Sequence, residues 1–144
     1  MKLKLHTDYG LRLLIFLARV NRRATVDEVA EQFDVSREHL VKVSRSLVRF
    51  GWIKATRGRG GGVSLTVPAD SIDVADVVGK LEERGQVLAC VLEPESCVLE
   101  PGCRLRVKLM QAENAFYESL HGTSVADLIR RPAAHHGMAQ LPNS

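Results

Sequence analysis

Apolar residues recur at helical spacing from Thr7 to Val20, where Leu11, Leu14, Ile15 and Ala18 share one face, Thr7 stands at the cap position and Asp8 falls in the first turn. The polar link Asn21-Arg22-Arg23-Ala24 leads to Thr25-Val26-Asp27-Glu28, the pattern of a capping box, and a second helix follows to Phe33 with Val26, Val29 and Ala30 inward. Asp34-Val35-Ser36 reads as a short turn, and Ser36 caps a third helix reaching about Phe50. Leu40, Val43, Leu47 and Phe50 form its apolar stripe; the opposite face carries Glu38, Lys42, Arg45 and Arg49. Two short helices joined by so brief a turn make a helix-turn-helix.

Gly51 is placed to end the third helix, after which Trp52–Thr56 and Val63–Val67 read as strands. Arg57-Gly58-Arg59-Gly60-Gly61-Gly62 forms the hairpin tip between them, and a hairpin directly after a helix-turn-helix is a wing. Beyond Pro68-Ala69-Asp70, Ser71 opens a short helix with Val74, Val77, Val78 and Leu81 on one face, closing near Gly85. Gln86–Gly102 has no helical or strand period and reads as a loop that needs something to order it. From Cys103 to Leu120, Leu105, Leu109, Ala112, Phe116 and Leu120 mark a helix of about 27 Å. One long helix beside a small domain suits pairing with its twin. Thr123 or Ser124 caps a last short helix, Val125–Arg130, stopped by Pro132, and Ala133–Ser144 has the composition of a disordered tail. The expected fold class is mainly α with a small β-wing: a winged helix-turn-helix over residues 1–67, a cysteine loop and dimerisation helix over 68–132, and a tail over 133–144.

With 144 residues, 45% hydrophobic and 26% charged, the chain has the composition of a folded globular domain. The net charge of +3 conceals an asymmetry: residues 1–67 hold 13 Lys and Arg against 6 Asp and Glu, a balance of +7, whereas residues 68–144 hold 7 against 11, a balance of −4. A basic first half joined to an acidic second half is the charge footprint of a nucleic-acid reader with a separate control region, although a solvated basic face gives the same total. In the first case Ser36, Arg37, His39 and Lys42 stand where the start of a recognition helix meets base edges, and Arg45 and Arg49 where its flank meets phosphates. Arg57 and Arg59 suit a minor groove, with Gly60 and its neighbouring glycines admitting close approach of the backbone. The same glycines do not make a nucleotide-binding loop. No Lys-Ser or Lys-Thr follows them, and Val63 occupies the last glycine position of GxGxxG. No nucleophile triad, paired-carboxylate motif or HExxH marks an enzyme.

The apolar run Leu11–Val20 contains Arg12 and Arg19, which argues against a signal peptide or a membrane span and leads to a cytoplasmic expectation. Cys90, Cys97 and Cys103, the only cysteines, are an odd set spaced x6 and x5. Structural zinc usually takes closer pairs. Longer spacers leave room for a bulkier inorganic core, and thiolates are the preferred ligands of iron-sulfur clusters, which want four where this chain supplies three. A thiol redox or zinc-binding module without iron remains the alternative of another class. His121 is one candidate fourth ligand, although a His at a helix C-terminus commonly serves the helix dipole.

Taken jointly, Thr7-Asp8-Tyr9-Gly10-Leu11-Arg12, Val35-Ser36-Arg37-Glu38-His39-Leu40-Val41-Lys42, the wing Arg57–Gly62 and Cys97-x5-Cys103-Arg104-Leu105 resemble the NsrR family of nitric-oxide-sensing repressors and, more distantly, the IscR cluster regulators. The resemblance implies a homodimeric repressor of palindromic operator DNA, with one [4Fe-4S] cluster per subunit and nitric oxide as signal. It makes Cys90, Cys97 and Cys103 the ligands, completed by Asp8 of the partner subunit. A [2Fe-2S] group sensing iron, oxygen or cluster status is the alternative within the superfamily. IscR-like chains carry a His three residues after the last cysteine; Arg106 stands there. The x6 spacer after Cys90 is longer than the resemblance leads one to expect. On the residues alone, Asp8 reads as a first-turn acid favoured by the helix dipole.

Overall fold

The computed structural model describes residues 2–83, 98–99 and 102–130. Helix α1 (Leu5–Val20) lies at the centre of the molecule and buries Gly10, Leu13, Leu14, Phe16 and Leu17. The expected cap at Thr7 is corrected: the N-cap is the extended Lys4, three residues earlier, and Thr7 is buried within the first turn. The reason is tertiary. The Lys4 backbone N–H donates to Glu82 Oε1 at 2.7 Å, and its ammonium donates to the Glu82 carbonyl and the Glu83 carboxylate, so a distant segment fixes the residue that a local hydroxyl would otherwise fix.

Helix α2 (Val26–Phe33) opens with Thr25 Oγ1 accepting from the Glu28 N–H at 3.1 Å. Only half of the expected capping box forms, because the Glu28 carboxylate turns to the Arg22 guanidinium instead. Asp34, left-handed at φ 51°, makes the turn into α3 (Arg37–Arg49), and Ser36 caps that helix. Strands β1 (Ile53–Thr56) and β2 (Gly62–Leu65) pair antiparallel, from Ile53 opposite Leu65 to Thr56 opposite Gly62. Ala24, in the link between α1 and α2, bridges to Val63 through reciprocal backbone bonds of 3.0 and 2.7 Å, so the wing is fastened along both edges of β2.

After a 3-10 turn at Ala69–Ser71 comes α4 (Val74–Glu82). Its cap is Asp73, not the expected Ser71, whose hydroxyl donates to the Pro68 carbonyl. The long helix α5 (Arg104–Leu120) and the short α6 (Val125–Ile129) complete the described chain; α6 has a full capping box between Ser124 and Asp127. One core gathers Leu13, Leu14 and Leu17 of α1, Leu40, Val43 and Leu47 of α3, Ile53 and Val63 of the wing, and Ile72, Val77, Leu81 and Val125. Near the C-terminal end of α5, Tyr117 packs against Val74 and Val78, with Phe116 and Leu120 beside it. The first turns of α5 instead present Leu105, Val107 and Met110 to solvent. Most of the expected cysteine loop over 86–102, with Cys90 and Cys97, and the expected tail over 133–144 lie outside the described residues.

Asp73 joins three elements. Its Oδ1 accepts from the Ala75 N–H at 2.8 Å, its Oδ2 accepts from the Gly122 N–H at 2.8 Å, and His121 Nδ1 stands 3.3 Å from Oδ2. Burial works to raise its carboxyl, but backbone donors at Gly122, Ala75 and Asp76 and the nearby His121 hold it below the usual carboxylate value. Asp73→Ala is therefore expected to cost about 1–2 kcal/mol in urea unfolding at pH 7. Because the folded carboxyl is the stronger acid, that contribution is present above the unfolded value and lost as pH falls through the folded one. Equal midpoints for wild type and variant at pH 7 would contradict this role.

Candidate nucleic-acid interface

The Ser36 hydroxyl accepts from the His39 N–H at 3.4 Å, so its oxygen serves the start of α3 and its own hydrogen remains for an outside acceptor. With Leu40, Val43, Ser44 and Leu47 turned inward, Arg37, His39, Lys42, Arg45 and Arg49 are exposed. Several are nonetheless held. Arg37 Nε donates to Asp27 Oδ1 in the first turn of α2. The His39 ring meets the Tyr9 ring of α1 edge to face, with centroids 6.1 Å apart. Arg49 lies over the Phe50 ring at 5.0 Å, the kind of packing that suits a structural role as well as a phosphate contact.

At the wing tip Arg57 and Arg59 are exposed, and Gly58 and Gly60 take φ of 90° and 76°, a region that side chains other than glycine enter at a cost. Between this tip, α3 and the start of α2 lies a groove of about 590 Å³, with Asp27, Arg37, Arg45, Arg57 and Gly60 in its lining. The fold thus brings four of the nine expected DNA-contacting residues, Arg37, Arg45, Arg57 and Gly60, to one groove. Ser36, His39, Lys42, Arg49 and Arg59 are exposed but are not in its lining.

The expected metal site is described at two of its four positions. Cys103, half-buried and free, is the N-cap of α5, and its Sγ accepts from the Arg106 N–H at 3.4 Å. A hollow of about 460 Å³ lies alongside, lined by Gly102, Cys103, Arg106, Val107 and Lys108 among others. Asp8 Oδ1 accepts from Arg12 Nε at 3.0 Å, one turn along α1. Cys90 and Cys97 lie outside the described residues. His121, the other candidate ligand, has its Nδ1 against Asp73.

A family model described as Rrf2, an iron-dependent transcriptional regulator, matches residues 3–131. The chain belongs to the Rrf2 family. Among solved structures it is similar to CymR, the global cysteine regulator of B. subtilis, at 25% identity with a TM-score of 0.72 over 90% of this chain and 96% of that one. The oxidized form of Staphylococcus aureus CymR matches at 26% identity with a TM-score of 0.71 over 91% and 98%. T. potens IscR shares the fold at 21% identity, with a TM-score of 0.71 over 90% and 86%. The expected winged-helix class is thereby borne out, and an Rrf2 chain is a DNA-binding regulator of transcription rather than an enzyme. No described helix is long and apolar enough to cross a membrane.

Three contacts between helices escape a reading by sequence pattern. Asp27 looks like a dipole-favoured first-turn acid, yet it reaches Arg37 ten residues away. Tyr9 looks like helix surface, yet it meets His39. His6 Nε2 lies 3.0 Å from Ser46 Oγ on α3; burial first, then the Lys4 and Arg49 charges, holds its imidazole below the ordinary value. No local motif marks these pairs, because each joins different helices.

Proposed function

We propose that this Rrf2 chain is a homodimeric repressor of two-fold operator DNA. The start of α3, with Ser36, Arg37, His39 and Lys42, would face base edges, Arg45 the phosphates, and Arg57, Arg59 and Gly60 of the wing the minor groove. The observation that carries the reading is the groove in which Arg37 and Arg45 of α3 and Arg57 of the wing converge. The exposed Leu105, Val107 and Met110 of α5 support pairing with a second copy, which would set half-sites about 34 Å apart.

Operator affinity, on this proposal, is set by an iron-sulfur group, [4Fe-4S] with [2Fe-2S] as the alternative. Cys90, Cys97 and Cys103 would hold it together with Asp8 of the partner subunit. Cys103 fits such a group: its sulfur is at a helix start, receives a backbone N–H and borders an open hollow, and hydrogen bonds to ligand sulfur are a recognised influence on cluster chemistry. When bound, the group would supply iron that reacts with nitric oxide. Arg12 engages only Oδ1 of Asp8, which leaves Oδ2 of the same carboxylate for that role. Asp8 shares the first turns of α1 with His6 and Tyr9, which reach α3, so a change at Asp8 falls beside the contacts that position the reading helix.

The test is anaerobic titration of reconstituted protein with nitric oxide, followed by native mass spectrometry with operator DNA. About four irons per chain and release of DNA are expected; unchanged operator binding after nitric oxide would remove the sensing claim. Similarity to the B. subtilis cysteine regulator CymR and to the oxidized form of S. aureus CymR favours one second reading: control through the thiols without iron. A colourless protein after reconstitution selects it.

A further inference from the structure

We infer that Asp27 is a positioning residue for base reading: it orients the Arg37 guanidinium toward a guanine in each half-site. The inference rests on the proposed role of α3 as the recognition helix and deepens it. Arg37 is the first residue of α3, and its Nε donates to Asp27 Oδ1 of α2. Both residues line the groove shared with the wing, where Arg45 and Arg57 supply further positive charge.

Two physical points give the pair this meaning. Each side chain is 61% exposed, so the ion pair is largely screened by water and contributes little to folding. A carboxylate in a groove that receives phosphates also works against sequence-independent binding, since it offsets part of the cationic attraction. What the contact does supply is geometry. The guanidinium is a rigid plane with two usable edges, and occupation of Nε by Asp27 leaves the Nη1–Nη2 edge for an outside acceptor pair. That fork matches O6 and N7 of guanine in the major groove. A guanidinium already held has fewer conformers to lose on binding and is drawn away from the nearest phosphate, so the contact favours specific over non-specific complexes.

The experiment uses the full-length protein, purified anaerobically. Binding preferences are selected from a randomised duplex library for wild type, Asp27→Ala, Arg37→Ala and the double variant, and affinities are then measured on the enriched duplex and a scrambled one. Wild type is expected to require guanine at one position per half-site. Both single variants should flatten the preference at that same position. For Asp27→Ala the specific-to-non-specific ratio should fall by about 5- to 30-fold, part of what a bidentate arginine–guanine pair provides, while affinity for the scrambled duplex holds or rises. In the Arg37→Ala background, removing Asp27 should lower the ratio no further. The thermal midpoint of Asp27→Ala should stay within about 3 °C of wild type, because the pair is exposed.

An unchanged guanine preference in Asp27→Ala, additive losses in the double variant, or a larger drop in midpoint would each overturn the positioning role. A wild-type consensus that survives Arg37→Ala overturns this inference and leaves the DNA-reading proposal standing. Failure of wild type to enrich any sequence overturns both.

Discussion

Replacing Gly62 by alanine is expected to detach the wing and lower stability by about 2–4 kcal/mol. Gly62 sits at φ +148°, and a Cβ there would lie 2.4 Å from the Ala24 carbonyl oxygen and 3.0 Å from its carbon. Both are backbone atoms, so no rotamer change relieves the clash. The next residue, Val63, exchanges both of its backbone hydrogen bonds with Ala24, and both residues are buried. Room for the methyl group comes only by parting that bridge, which loses two buried backbone bonds and opens the core beneath the wing. Gly58→Ala is the contrast. At φ +90° with nothing within 4 Å of a Cβ, it should cost only the left-handed penalty of about 1–2 kcal/mol. Urea unfolding of the two variants checks the comparison, and a Gly62→Ala protein as stable as wild type would show that the bridge does not hold the wing.

The second large effect is expected on affinity with the fold intact. Arg57 and Arg59 are both exposed at the wing tip, so Arg57→Ala combined with Arg59→Ala should leave the thermal midpoint near that of wild type. If both guanidiniums face the sugar-phosphate walls of a minor groove, operator affinity should fall by about 10- to 100-fold near 0.1 M salt. The slope of log affinity against log salt should also become shallower, by about 0.9 for each phosphate contact removed. An unchanged slope would place the wing tip off the DNA. Together the two experiments separate the attachment of the wing from the work of its tip.

Several of the same features are legible in the sequence for a local reason. Helices α2 and α3, the turn at Asp34, the wing strands and the long α5 each announce themselves by period, cap or glycine, and the structure places them within a few residues of expectation. The exposed face of α3 follows from the same 3.6-residue period: once Leu40, Val43 and Leu47 turn inward, Lys42 and Arg45 must turn outward. Where the pattern misleads, a remote partner has replaced a local one. Thr7 yields the cap to Lys4 because Glu82 supplies an acceptor, Glu28 leaves the Thr25 box for Arg22, and Asp73 displaces Ser71 because its second oxygen also receives the Gly122 N–H. The α5 stripe shows the same limit. Phe116 and Leu120 find cover beside Val74 and Val78, whereas Leu105, on the same stripe, stays open to solvent.

By itself the sequence determined most of the elements, the basic face of α3 and the match to the Rrf2 family, since these rest on short-range periodicity, capping chemistry and residue types at fixed spacing. Only the tertiary structure decided which residues meet: Asp27 with Arg37, Tyr9 with His39, Lys4 with Glu82 and Ala24 with Val63. The physical reason is that side-chain hydrogen bonds and ring contacts act over a few ångströms, and residues ten to eighty positions apart come within that range only after the core of α1, α3 and α4 has packed.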